Sequence, residues 1–181
     1  MIVEEKTLST ERIYEGEILN LRRDRVTVRG GGTSPREIVE HNGGVALAAI
    51  TGEGRMVMVR QFRKAAEKTE LEVPAGKTGA GEDPAAAALR ELKEETGYTA
   101  ESLEHLTAFY PSLGYSTEVL HLYLATGLSP GDTDFDEHEA IDICEYELEA
   151  LMDMVNTGEI EDAKTIIAVL IANNKRISGE L

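Results

Sequence analysis

Three carboxylates, Glu91, Glu94 and Glu95, fall within one five-residue window, and Glu82 precedes them in the chain. On an α-helix turning about 100° per residue, Glu91 and Glu95 lie about 40° apart, with Glu94 about 60° to the other side of Glu91. The acids therefore share one face. Like charges at this spacing repel by roughly tenths of a kcal/mol per exposed pair, so local helix stability does not explain them. A divalent cation reverses the penalty, and Mg²⁺ is the better physical match, with Mn²⁺ as a substitute. It is hard, prefers oxygen, keeps water and bridges carboxylates to phosphates. Arg90, four residues before Glu94, pairs with it at helical spacing and leaves Glu91 and Glu95 for the ion. The small Ala87 falls within the same wedge and leaves room for a ligand. A solvated acidic helix face gives the same pattern, so the acids alone leave both readings open.

The local sequence predicts the helix that must carry them. Asp83 is a capping residue, Pro84 suits the first turn, Ala85–Ala88, Leu89 and Leu92 favour helix, and Gly97 supplies the stop. Ala85, Ala88, Leu89 and Leu92 form a stripe that can pack on a sheet. Before the helix, the bends at Gly76, Gly79 and Gly81 bring backbone carbonyls and amides beside it, adding oxygen ligands for a cation and donors for phosphate. Strands are expected within 13–28, over the apolar run Val45–Ile50, at Met56–Val59, and near Leu106–Tyr110, Val119–Ala125 and Ala140–Cys144. Gly30–Gly32 reads as a turn. Helices are expected around Leu148–Val155 and from Asp162 or Ala163 to about Lys175. Strands dispersed around a central helix, then terminal helices, predict an α+β chain with a mixed sheet covered by helices. A division near residue 40 separates a strand region, 1–40, from the main domain, 41–181. Arg60 and Arg63, at the end of a strand in so acidic a chain, either compensate carboxylates or clamp an anion.

The chain has 181 residues, with 34 Asp and Glu against 18 Lys and Arg, a formal net charge of -16. That balance disfavours nucleic acid and anionic membrane as partners, while a cation can still bring a small phosphorylated ligand to the acids. Cys144 stands alone, which removes the disulfide-framework class and fits a reducing compartment. No apolar run approaches the roughly 20 residues of a membrane span, and the first residues do not have the order of a signal peptide, so a cytoplasmic protein is expected. The histidines are too scattered for a zinc triad.

The stretch Gly76 to Tyr98 resembles the signature box of the Nudix hydrolase family. Gly76 is followed after five residues by Glu82 and after seven more by Arg90-Glu91-Leu92-Lys93-Glu94-Glu95-Thr96-Gly97-Tyr98. The one departure is Tyr98, where an aliphatic residue is usual. Beyond the box, Tyr14-Glu15-Gly16, Arg36–His41, Arg60–Arg63, Glu72–Lys77 and Asp162-Ala163-Lys164 resemble the branch that cleaves ADP-ribose. The resemblance implies an α/β/α sandwich with a small N-terminal antiparallel strand subdomain, and a homodimer formed through that subdomain with a shared active site. It implies metal ligation by the Ala75 carbonyl, Glu91 and Glu95, with Glu94 reaching another metal, Arg90 orienting it and Glu82 supporting the Gly76 loop. It further implies a diphosphate contact at Arg63 and substrate contacts at Arg36 and Glu37. Where the branch has Ser-Pro-Gly, this chain has Ser112-Leu113-Gly114, so Leu113 and Gly114 mark a substrate loop that departs from the pattern.

Asp132, Asp134, Asp136, Glu137 and Glu139 form a second acidic segment, which on its own also reads as a solubilising loop. By the same resemblance Glu137 is the general base and Glu139 an additional metal ligand, and an exchange of these roles stays open. Tyr14, Phe109, Tyr110 and Tyr115 are the candidates for stacking on a nucleobase. The expected activity is Mg²⁺-dependent hydrolysis of ADP-ribose to AMP and ribose 5-phosphate. The alternatives are a broader nucleoside-diphosphate-sugar or nucleotide pyrophosphatase, favoured by Leu113, and a noncatalytic nucleotide-binding regulatory protein.

Overall fold

The structure, a computed structural model, describes residues 2–135 and 140–181. The chain forms two compact units, one of residues 1–43 with 110–119 and one of residues 44–109 with 120–181.

In the first unit, β1 (Thr7–Glu15), β2 (Asn20–Thr27) and β3 (Thr33–Glu40) make an antiparallel sheet in the order β1-β2-β3. The β2–β3 connection passes through Gly30 and Gly31 at φ 92° and 85°, a left-handed conformation that glycine adopts without steric cost. Residues 110–119 join this unit through β3. The Val39 amide donates to the Tyr115 carbonyl, the Thr117 amide donates to the Val39 carbonyl, and Val39 bridges Ser116. β1 starts six residues before the expected strand region and β3 has no counterpart in the expectation. Every residue of β1 is exposed, so it carries no buried periodicity from which to read it.

The second unit is organised around β4 (Gly44–Ala49), whose six residues are all buried. It pairs in parallel with β9 (Leu120–Ser129) and antiparallel with β7 (Ala75–Lys77), and β8 (Thr99–Phe109) completes the mixed sheet β7-β4-β9-β8. A second, antiparallel sheet runs β10-β5-β6, from β5 (Arg55–Arg63), β6 (Lys68–Glu72) and β10 (Ile141–Glu147). Because side chains alternate along a strand, β4 feeds two cores. Val45, Leu47 and Ala49 pack with Ala87, Ala88 and Leu92 of α1 (Pro84–Thr96). Ala46 and Ala48 pack with Leu148 and Leu151 of α2 (Leu148–Thr157) and Ala168, Val169 and Ala172 of α3 (Ala163–Ser178). Helix, sheet and helix thus form three layers within this unit, the expected α+β sandwich with a mixed sheet.

The expected helix carries the expected ends. Asp83 Oδ1 accepts from the amides of Ala85 and Ala86, Pro84 opens the helix, and Gly97 closes it at φ 73° with its amide donating to the Lys93 carbonyl. The buried face of α1 differs from the expected stripe. Ala87 is fully buried in the core beside Ala88, whereas Leu89 is 42% exposed. The helix meets the sheet along Ala87, Ala88, Leu92 and Glu95, so the acidic wedge and the packing stripe overlap at Glu95, and Ala87 is core rather than open space for a ligand. Leu92→Ala is expected to lower unfolding free energy by about 2–5 kcal/mol, measured by urea denaturation, because the fully buried site cannot collapse around the lost methyls.

Candidate active site

The helix start sets Glu82 and Arg90 against one another across the first two turns. Arg90 donates from Nε to Glu82 Oε1 at 3.0 Å and from Nη2 to Glu82 Oε2 at 3.1 Å, while Nη1 reaches Glu91 Oε1 and Glu94 Oε2, both at 2.8 Å. Nη2 also donates to the Lys77 carbonyl, tying the guanidinium to the strand that carries Gly76. One cation thus meets three carboxylates. Arg90 pairs with Glu94 as the spacing predicts, but it holds Glu91 and Glu82 as well. The hydrogen bonds that Arg90 donates to Glu82 are the largest cause that raises the Arg90 pKa, opposed by desolvation. Reciprocally, Arg90 and the Gly79 amide hold the Glu82 carboxyl below the usual carboxylate range.

Gly76 makes the seat for Glu91. A Cβ at Gly76 would stand 1.9 Å from Glu91 Cδ and 2.1 Å from each carboxylate oxygen, so only glycine leaves the carboxylate its place. Gly44 repeats the device one strand inward, where a Cβ would meet the Gly76 carbonyl at 2.6 Å. Glu95, 5% exposed, accepts from the Ala75 amide through Oε2 at 3.0 Å. This places a second carboxylate against Ala75, the residue whose carbonyl is the expected metal ligand. Among the described residues, no three acidic, histidine or cysteine side chains converge in a metal-binding arrangement, and Arg90 stands between Glu82, Glu91 and Glu94. The donor set itself is carboxylate and carbonyl oxygen, the set a hard divalent ion takes, with Glu91 already held in a glycine hollow beside Ala75. The residues fit such an ion.

Arg63, at the end of β5, donates to Glu72 through Nε at 2.6 Å and Nη2 at 2.8 Å. Glu72 is 2% exposed and also accepts from Lys164 Nζ. Burial alone would push the Glu72 carboxyl up, but the hydrogen bonds from Arg63 and the charge of Lys164 outweigh it and hold it low. The contacts of Arg63 are those of the compensating reading, a pair with the Glu72 carboxylate, and its side chain is 43% exposed. Glu72, Lys164 and Asp162 had no assigned role in the sequence reading. Their signals are the resemblance of Glu72–Lys77 and Asp162-Ala163-Lys164 to the family branch and the position of Glu72 between Leu71 and Val73, where a carboxylate requires countercharge once buried.

The other proposed substrate residues lie in the first unit. Arg36 is held in β3 by Glu5 and by Ser34 Oγ, Glu37 faces Arg23 across the strand pair, and Leu113 and Gly114 are exposed in residues 110–119, Leu113 at 71%. Glu137 and Glu139 lie outside the described residues. The segment before them is attached to α1, since the Asp134 amide donates to the Glu94 carbonyl at 3.1 Å. Of the four aromatic candidates, Phe109 packs on the core of its unit, whereas Tyr14, Tyr110 and Tyr115 are exposed. Tyr98, the departure within the box, donates its phenol to Glu145 Oε1 at 2.8 Å and so ties the end of α1 to β10.

The family model described as the NUDIX domain matches residues 40–169, and that of the nucleoside diphosphate sugar hydrolase N-terminal domain matches residues 5–39. The ADP-ribose pyrophosphatase of Bacillus subtilis (strain 168) is 46% identical over 169 residues, 92% of this chain and 91% of that protein. The methanol dehydrogenase activator of Bacillus methanolicus is 47% identical over 170 residues, 93% of this chain and 92% of that protein. The ADP-ribose pyrophosphatase of Mycobacterium tuberculosis (strain ATCC 25618 / H37Rv) is 38% identical, covering 91% of this chain and 81% of that one. The crystal structure of an ADP compounds hydrolase has a TM-score of 0.86, covering 99% of this chain and 97% of that chain at 21% identity, a likeness of fold.

Two measurements test this geometry. Gly76→Ala is expected to weaken divalent-cation binding about tenfold or more by calorimetry, since the added methyl displaces Glu91. The Glu72 carboxyl is lowered from its ordinary 4.5 in the folded chain, so the stability it contributes is present above that pH and lost as pH falls below it. In urea titrations across that range, Glu72→Gln is expected to be less stable than wild type at neutral pH and to lose less on acidification.

Proposed function

This chain belongs to the Nudix hydrolase family, and from that membership we propose that it hydrolyses the diphosphate of ADP-ribose to AMP and ribose 5-phosphate. The observation that carries the reading is the seating of Glu91 in the Gly76 hollow, beside Ala75 and Glu95, on a helix whose acids converge on Arg90. The 46% identity to a protein named ADP-ribose pyrophosphatase supports the substrate.

Glu91, Glu95 and the Ala75 carbonyl would hold a divalent ion, with Glu94 and Glu139 available to a further one, and Mg²⁺ is the proposed ion with Mn²⁺ as substitute. When bound, the ion neutralises charge on the diphosphate and makes water a stronger acid. Arg90 keeps Glu91 and Glu94 from splaying under their mutual repulsion, and Glu82 completes its coordination from the loop side. Arg63 offers a guanidinium edge to the negative charge that gathers on the phosphate oxygens. Glu137 accepts the proton of the attacking water as its oxygen bonds to phosphorus and the bridging P–O bond breaks. Arg36, Glu37, Leu113 and Gly114 contribute substrate contacts. The site of the N-terminal unit in the reaction is a homodimer contact, supported by exposed apolar side chains on or beside its strands, Leu8, Ile13, Tyr14 and Ile18. Residues 1–40 and 41–181 are accordingly read as dimer-forming and hydrolase regions. Partners other than the substrate and a second copy are not proposed: the -16 charge opposes nucleic acid and anionic lipid, and no helix among the described residues is long and apolar enough to cross a membrane. A cytoplasmic location accords with the lone Cys144.

A second reading, action on a wider set of nucleoside-diphosphate sugars, is favoured by Leu113 in the substrate loop and by the match of residues 5–39 to a nucleoside diphosphate sugar hydrolase N-terminal domain. Comparing kcat/KM for ADP-ribose, ADP-sugars, dinucleotides and nucleoside triphosphates, with and without divalent ion, separates the two, and product identification reads the bond broken. ADP-ribose is expected to lead the panel, with turnover lost on chelation. A triphosphate preferred by about 100-fold defeats the substrate assignment. Glu91→Gln and Glu95→Gln are each expected to lose turnover while staying folded, and Glu137→Gln to keep substrate binding with poor turnover. Wild-type activity in all three removes these roles.

A further inference from the structure

The first turn of α3 reaches across to the strand that leads into the site. Asp162 caps the helix, its Oδ2 accepting from the Thr165 amide at 3.0 Å and hydroxyl at 2.6 Å, and it also accepts from Lys164 Nζ at 2.9 Å. Thr165 Oγ1 accepts from the Val73 amide at 3.0 Å, and Lys164 donates to Glu72. Two consecutive residues just before Pro74 and Ala75 are thereby held, one by its backbone and one by its carboxylate. Lys164 is 11% exposed and Glu72 is 2% exposed, so this is an interior ion pair rather than a surface one.

We propose that Lys164 is a positioning residue for catalysis, which by sharing the buried Glu72 carboxylate keeps Arg63 oriented and electrostatically available to the substrate diphosphate. The inference rests on the function proposed above. Its physical basis is a charge count within one cluster. A buried carboxylate needs a countercharge, and Arg63 alone would have to supply all of it. Lys164 contributes a second cation to Glu72 Oε2, and Asp162 in turn balances Lys164. Arg63 is then fixed through Nε and Nη2, while Nη1 has no hydrogen bond among the described residues and the side chain remains 43% exposed. The fork of the guanidinium is set in plane by one edge, leaving the other for an anion. Without Lys164, Glu72 draws on Arg63 alone, and the positive potential at the outer edge falls. Asp162 at the helix cap explains why the lysine stays in place: the residue that starts α3 is the residue that fixes its ammonium.

The test is a double-mutant cycle on the full-length chain with ADP-ribose and Mg²⁺, reading kcat, KM and melting temperature for Lys164→Met, Arg63→Ala and the pair. Lys164→Met is expected to lower kcat/KM about tenfold, chiefly through KM, and to change it about twofold at most in the Arg63→Ala background. The non-additivity is what a role through Arg63 requires. An equal loss in both backgrounds overturns the proposal, as does a lowered melting temperature with kcat/KM unchanged, which is the signature of a purely structural pair. If Lys164→Met does not fold, Lys164→Gln, which keeps an N–H donor and removes the charge, goes through the same cycle with the same criteria. A wild-type chain that leaves ADP-ribose intact defeats the proposed substrate instead. The cycle is then read on the dissociation constant of ADP by calorimetry, where additive effects, or no binding of ADP, overturn the role of Lys164.

Discussion

One guanidinium, that of Arg90, stands among Glu82, Glu91 and Glu94, and the site depends on that arrangement. Acids on one helical face repel, yet here they are drawn to a common cation, and its other contact, the Lys77 carbonyl, fixes the helix against β7. The carboxylates are therefore held by geometry before any ligand arrives. Holding them costs less rotamer entropy at the moment a ligand binds than ordering free side chains would. The two glycines at 76 and 44 serve the same end by removing bulk: the first admits a carboxylate, the second admits the carbonyl of the first.

The rest of the second unit makes this arrangement rigid. β4 is buried on both faces, Val45, Leu47 and Ala49 receiving α1 and the alternate Ala46 and Ala48 receiving α2 and α3, so one strand backbone carries both helical layers. Glu95 belongs to both systems. It is buried with the packing face of α1 and accepts from the Ala75 amide, which turns a core contact into a constraint on the strand beside it. At the far end of α1, Gly97 ends the helix in a left-handed conformation and Tyr98 reaches Glu145, so both ends of the helix are attached to neighbouring strands. An aliphatic residue at position 98 could pack there but could not make that hydrogen bond.

Legibility in the sequence followed the locality of the physics. The ends of α1 were readable because capping, proline at the first turn and a terminal glycine act within a few residues. β4, β5, β9 and the closing helices were readable because burial leaves a run or a stripe of apolar residues. β1 and β3 were not, since the first is exposed throughout and the second has no fully buried residue, and both are held by strand pairing. β6 and β7 were missed for a different reason: a five-residue and a three-residue strand interrupted at Pro74 leave too short a pattern. Within the site, the acids of α1 could be placed by helical angle alone, but that angle does not say which part of the wedge faces the sheet, and so Ala87 and Leu89 exchanged their expected environments. The Glu72–Lys164 pair joins residues 92 positions apart, and no local rule connects them. The assignments at Arg36, Glu37, Glu137 and Glu139 came from family resemblance and had no such local signal.

The double-sided burial of β4 has a consequence for how such a chain can diversify. Every side chain there is packed against one helical layer or the other, so a larger or smaller residue at any position disturbs a core, and the central strand has little room to change. Exposed stretches carry no such coupling. Residues 110–119, joined to the N-terminal sheet through Val39, can exchange Leu113 or Tyr115 at little cost to either core. Sequence drift is thus steered by burial: it can run through that exposed stretch and is held back in the central slab.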